Sequence, residues 1–153
     1  MDGSFRIGSL FGIPIQIHYT FLLVIPLFAW IIGSQISMTV ELLQDLYAIP
    51  IDPSLVTSGF MPYILGAIVS CGLFFGVLVH ELAHSLVARA KGIAINSITL
   101  MIFGGVASME EGVPDPKVEL PMALVGPIAS LIFGLLCGAL VYGVPSMIPD
   151  PAR

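Results

Sequence analysis

A chain of 153 residues that is 57% hydrophobic and only 10% charged, with a mean hydropathy of +1.03, is composed as an integral membrane protein of one domain and not as a water-soluble globule. Five Lys and Arg against ten Asp and Glu give a formal net charge of −5, which leaves no basic surface for nucleic acid.

Residues 5–18 read as two short strands around a turn. Ile13, Ile15 and Ile17 alternate with Pro14, Gln16 and His18, the period-two pattern of a half-exposed strand. Pro14 lacks an N–H and so assigns this strand to a sheet edge; a small amphipathic hairpin at the membrane surface is expected. His18, a lone interfacial histidine, is expected to be structural. The N-terminus lacks the short apolar stretch and small-residue cleavage site of a signal peptide, so the first hydrophobic segment is expected to remain as an anchor. That segment, residues 19–36, is the first expected span, near the minimum length for ~30 Å of hydrocarbon and kinked at Pro26. Residues 37–59 carry Glu41, Asp45 and Asp52 but no Lys or Arg. Val40, Leu43, Leu46 and Tyr47 recur at helical spacing there, which predicts a short interfacial helix with a solvated acidic face before Pro50 and Pro53.

The second expected span, residues 62–89, organises the chain. At ~1.5 Å per residue it reaches ~42 Å, so it must tilt or protrude. It contains His80-Glu81-Leu82-Ala83-His84. Histidines four apart lie about 40° apart around a helix, so both imidazoles project from one face, with Glu81 offset by about 100°. This H-E-x-x-H spacing supplies two neutral imidazole ligands for Zn²⁺ and a carboxylate able to take a proton from a metal-bound water. Ionisable residues at membrane depth are functional by default. Gly72, Gly76, His80 and His84 follow one another at intervals of four and form one stripe, whose glycines admit a close neighbour. Arg89 and Lys91 follow the span and Arg6 precedes the first one, so the positive-inside rule puts the N-terminus and the histidine-bearing end in the cytoplasm.

Residues 93–109 read as a strand pair bent at Gly104-Gly105, which the sequence leaves equally open as an edge that receives an extended peptide by strand addition or as a hairpin that only packs against the membrane helices. Residues 110–117 form a polar loop in which Glu110, Glu111 and Asp115 are expected to be solvated. The third expected span, residues 118–144, carries Gly126, Ser130, Gly134 and Gly138 every fourth residue, which makes Gly72 and Gly76 against Gly126 and Ser130 the expected helix contact. Pro127 distorts the helix at that level. Cys71 and Cys137 sit far apart in apolar runs and are expected to be small buried residues. The fold class expected is membrane α-helical: three transmembrane helices, a small N-terminal β-hairpin, and a β-hairpin between the second and third spans.

The ordered motifs resemble the site-2 protease family of intramembrane zinc metalloproteases. They run from Gly12-Ile13-Pro14 and His18-Tyr19 through His80-Glu81-Leu82-Ala83-His84, Ala88-Arg89 and Gly92, then Phe103-Gly104-Gly105-Val106-Ala107, Glu119, and Gly126-Pro127 with Ser130 three residues on. The resemblance covers nearly the whole chain. It implies Zn²⁺ held by His80 and His84, Glu81 as general base, and cleavage of transmembrane protein substrates inside the lipid bilayer, with Gly104, Gly105 and Ser130 as substrate contacts. The family takes a third zinc ligand from an aspartate in an Asn-Pro-Asp-Gly-like motif near the C-terminus; none occurs here, and Asp150 falls on the far side of the membrane. Residues 1–153 are therefore expected to be a metalloprotease core incomplete at its C-terminus. Many relatives also carry asparagine where this chain has Ser130. Two other readings stand beside this one: a catalytically inactive membrane binding module, and a metal transporter, which is expected to carry further ionisable residues inside its other spans. The oligomeric state has no signature in the sequence.

Overall fold

The computed structural model describes residues 3–47, 52–109 and 116–147. The expected acidic loop of Glu110, Glu111 and Asp115, and Asp150, lie outside the described residues. Two strands, β1 (Ser4–Leu10) and β2 (Ile13–His18), open the chain. Their turn is Phe11-Gly12, both at positive φ (51° and 80°), the geometry that lets a two-residue hairpin follow the strand twist. The first long helix, α1, spans Phe21–Tyr47, and a single turn, α2, spans Ser54–Thr57. Next come α3 (Met61–Ala90), the hairpin β3 (Ile95–Met101) and β4 (Gly104–Met109), and α4 (Pro116–Met147). Helices α1, α3 and α4 are each long and apolar enough to cross a membrane.

The two hairpins join into one sheet of order β1-β2-β3-β4, with β2 and β3 parallel through Ile15–Ile98, Gln16–Thr99 and Ile17–Leu100. Pro14 therefore lies in a central strand and not on the expected edge. It is tolerated because the parallel ladder begins one residue later, and Pro14 pairs only with Ser9 of β1. His18 is structural: its Nδ1 lies 2.8 Å from the Thr20 hydroxyl and its ring 4.3 Å from that of Tyr19, just ahead of α1.

Helix α1 also departs from expectation. It runs unbroken past residue 36, with no separate interfacial helix beginning there. No Gly or Pro lies between Gly33 and Pro50 to stop it, and its polar residues bond to its own carbonyls, Ser34 to Ile31 O at 2.8 Å and Thr39 to Gln35 O at 2.9 Å. Glu41 and Asp45 are exposed on this extension, as expected.

Helix α3 has two opposed faces. Pro62, Gly66, Ser70 and Phe74 form a buried stripe at intervals of four that faces α1. Phe74 meets Phe21 edge-on at 4.8 Å in a cluster with Val24 and Leu100. Further along, Leu78, Leu82 and Leu86 pack on Ile13, Ile15 and Ile98 of the sheet. The close glycine contact belongs to this face: Gly66 lies against the Ala29 carbonyl and Gly33, and a Cβ on Gly33 would stand 2.9 Å from Pro62 O. The expected contact of Gly72 and Gly76 with Gly126 and Ser130 does not form. Gly72 has nothing within 4 Å of its Cβ position, and Gly76 faces Phe133. Cys71 and Cys137 are exposed rather than buried; a thiol is apolar enough for a lipid-facing position.

Overpacking at the α1–α3 contact should be felt directly. Gly66→Val is expected to destabilise the helix pair by about 1–3 kcal/mol, read as a lowered unfolding midpoint in detergent, whereas Gly72→Ala should leave it unchanged or raised.

Candidate functional site

The stripe opposite the sheet carries the polar residues. Gly76, His80 and His84 face α4 in an antiparallel register that sets Gly76 beside Phe133, His80 beside Ser130 and His84 beside Met122. One helical turn apart, the two imidazoles cross at 72° with centroids 4.7 Å apart, and their Nε2 atoms face each other at 3.0 Å. The opposite nitrogens are engaged by α4. His84 Nδ1 donates to the Met122 carbonyl, and His80 Nδ1 lies 2.9 Å from Ser130 Oγ. A carbonyl only accepts, so the His84 proton sits on Nδ1 and a lone pair is left on Nε2.

Two glycines make this arrangement possible. A Cβ on Gly126 would stand 2.6 Å from His80 Nε2 and closer still to His84 Nε2, so only a glycine lets α4 pass over the imidazole pair. On the other flank β4 passes over Glu81: a Cβ on Gly105 would collide with its Cγ and stand 3.3 Å from its carboxyl carbon. Glu81 is thus held between the imidazoles and the strand that forms the sheet's outer edge. The Glu81–Gly105 contact separates two cavities. One, of about 510 Å³, extends along α3 past Gly76 and Gly72; the other, of about 580 Å³, opens past His84 towards Glu119 and Met122.

The nitrogen pair fits a small divalent cation. Two nitrogens each ~2.05 Å from a tetrahedral zinc stand about 3.3 Å apart, a few tenths of an ångström from the separation here, and the Gly126 cradle is the space such an ion needs. Among the described residues no three His, Cys, Asp or Glu side chains gather as a metal-holding group, so the imidazole pair is a partial ligand set.

All the sequence-expected residues meet at this place. His80, Glu81 and His84 lie at the junction; Gly104 and Gly105 bring the hairpin onto Glu81 and line the first cavity with Ser130. Ser130 also holds His80 Nδ1, a positioning contact in addition to its cavity position. Met122 carries no sequence signal of its own, because a backbone carbonyl becomes a partner only once α4 is docked; Gly126 is legible as a small residue for helix contact, but not as the cradle over the imidazoles. Arg89 is a further contact beyond the motif: its guanidinium donates to Phe11 O at 2.6 Å and ties the N-terminal hairpin to the end of α3.

The fold and site define a class: a polytopic membrane protein whose central span carries an H-E-x-x-H turn between an edge strand and a glycine-faced helix. The chain belongs to Peptidase family M50, whose model matches residues 68–149, more than half of its length. It is 38% identical over 153 residues to sll0528 of Synechocystis sp., a protein named as a zinc metalloprotease, covering 100% of this chain and 36% of that one. It is 31% identical over 140 residues to Rip3 of Mycobacterium tuberculosis, similarly named, covering 92% of this chain and 32% of that one. Among solved structures it resembles the site-2 protease from Methanocaldococcus jannaschii with a TM-score of 0.54 and 29% identity, over 91% of this chain and 50% of that one. The chain thus spans about a third of the length of these curated relatives. With its three apolar helices, it is an integral membrane protein.

The orienting contact is testable by metal titration. In full-length protein, Ser130→Ala is expected to lower Zn²⁺ affinity about 10–100-fold, the usual cost of losing a ligand's outer hydrogen-bond partner, while Ser130→Asn should retain most of it. Gly126→Ala, which fills the cradle, should abolish stoichiometric zinc in the same assay.

Proposed function

We propose that residues 1–153 form the zinc-carrying core of an intramembrane metalloprotease that hydrolyses peptide bonds of transmembrane protein substrates. The observation that carries this reading is the facing pair of imidazole Nε2 atoms at 3.0 Å with Glu81 beside it, at membrane depth. The relatives named as zinc metalloproteases support it.

His80 and His84 would hold the ion, and the Ser130 and Met122 contacts keep their rings turned towards it. When bound, zinc supplies Lewis acidity at the scissile carbonyl and makes a coordinated water acidic near neutral pH. Glu81 would take a proton from the water that adds to the scissile carbonyl carbon and pass it to the amine nitrogen as the C–N bond breaks, acting first as general base and then as general acid. A substrate helix must unwind before reaction, since its carbonyls are otherwise occupied within the helix. Exposed backbone along β4 offers an unwound segment new partners by strand addition, with Gly104 and Gly105 at the end nearest Glu81. Arg6, Arg89 and Lys91 favour a cytoplasmic N-terminus and a site reached by water from the cytosol.

A second reading is favoured by one observation, the partial ligand set among the described residues: a non-catalytic module that binds membrane segments without cleaving them. The two readings separate on Glu81→Gln in the full-length protein. A protease should keep its zinc and lose cleavage by about 10²–10⁴-fold, the usual contribution of a positioned base. Unchanged turnover would remove Glu81 from that role, and no turnover in the unaltered protein would favour the module.

A further inference from the structure

The cavity of about 510 Å³ beside Glu81 has a shape that the chemistry at the histidines does not require. It continues along α3 towards that helix's N-terminus, over Gly76 and Gly72. At 1.5 Å rise these lie ~7 Å and ~13 Å from Glu81 along the axis. Neither presents a side chain, so the helix surface there is a bare trough. Above Gly76 stands Phe133 of α4, whose ring carbon Cε1 lies 3.3 Å from the position a Cβ would take. Phe133 is backed by Phe75, ring centroids 5.6 Å apart, and so forms a side wall. Gly72 is open: nothing lies within 4 Å of its Cβ position.

We propose that this trough is a side-chain pocket that selects a large apolar residue about two to four positions from the cleaved bond, with Phe133 and Gly72 setting its size. The inference deepens the protease reading and rests on it. An extended peptide advances ~3.3 Å per residue and turns alternate side chains to one face. A segment that has its scissile carbonyl at Glu81 and runs off the Gly104 end of β4 therefore passes Gly76 about two residues on and Gly72 about four residues on. At this depth in a spanning helix an apolar occupant is favoured, because a polar one would have to give up its hydration. The glycine floor is flanked by Leu73 and Val77 and the walls are Phe103 and Phe133, so the space suits Leu, Met or Phe and leaves Ala with few contacts.

Two substitutions change the pocket in opposite directions. Gly72→Leu fills it from the floor, starting from a Cβ position with nothing within 4 Å among the described residues, and leucine favours the helix. Phe133→Ala removes the wall. The probes are transmembrane peptides cleaved by the full-length protein, identical except for Ala, Leu, Phe or Trp at each of the four residues on either side of the cleaved bond. At one of these positions the unaltered protein should prefer Leu or Phe over Ala in kcat/KM by about 10-fold or more, the scale set by a few buried methylenes. Gly72→Leu should erase that preference by lowering kcat/KM on the Leu and Phe peptides to the level of the Ala peptide, and Phe133→Ala should move it towards Trp. Unchanged Phe-to-Ala and Trp-to-Phe ratios in both variants overturn the pocket, provided Glu81→Gln is inactive on the same peptides. Full cleavage by Glu81→Gln overturns the reading of the site itself and the pocket with it. If Gly72→Leu loses its zinc through misfolding, Phe133→Ala decides alone.

Discussion

The geometry of the site depends on one antiparallel contact, α3 against α4. The two hydrogen bonds that cross it, from His80 to Ser130 and from His84 to Met122, average only about 0.6 kcal/mol each when made between membrane helices. They are too weak to hold the helices together. Their consequence is orientational: by engaging both Nδ1 atoms they turn both Nε2 atoms into the same small space. Close packing makes this possible, since a side chain at Gly126 would occupy the place where the nitrogens converge.

The opposite face of α3 gives that contact something to work against. Phe74 and the leucines at 78, 82 and 86 are packed on α1 and the sheet, so α3 cannot rotate to relieve strain on its histidine face without exposing its buried stripe. The sheet then wraps round to the site. Its outermost strand crosses Glu81 through Gly105, and the same four strands reach back through the β1–β2 turn to Arg89. Glu81 is confined on one flank by the β4 backbone at Gly105. For the proton transfer proposed for Glu81, such confinement matters more than a partner, because a strong hydrogen bond would fix its protonation state.

The open stretch of α3 has a different character. Beyond Gly76 the helix contacts α4 through Phe133 and leaves Gly72 bare, so the same stripe that holds the imidazoles becomes a trough a turn or two away. Glycines at intervals of four usually let helices touch. Here Gly33 and Gly66 serve that purpose on the α1 side and Gly126 on the α4 side, while Gly72, aligned with the histidines, leaves room.

Local features were legible in the sequence because their causes are local. Apolar run length gives three spans, period-two alternation gives the strands, and a spacing of four places His80 and His84 on one face whatever the helix packs against. The composition of the site followed from the motif for the same reason. What tertiary structure alone decided are the pairings between elements. The two hairpins form one sheet with Pro14 in its interior, Gly126 meets the imidazoles rather than Gly72 and Gly76, Ser130 orients His80, and a carbonyl of α4 holds His84. Each is set by the axial register between segments tens of residues apart, and that register is chosen by how whole surfaces pack, a quantity no short window of sequence contains.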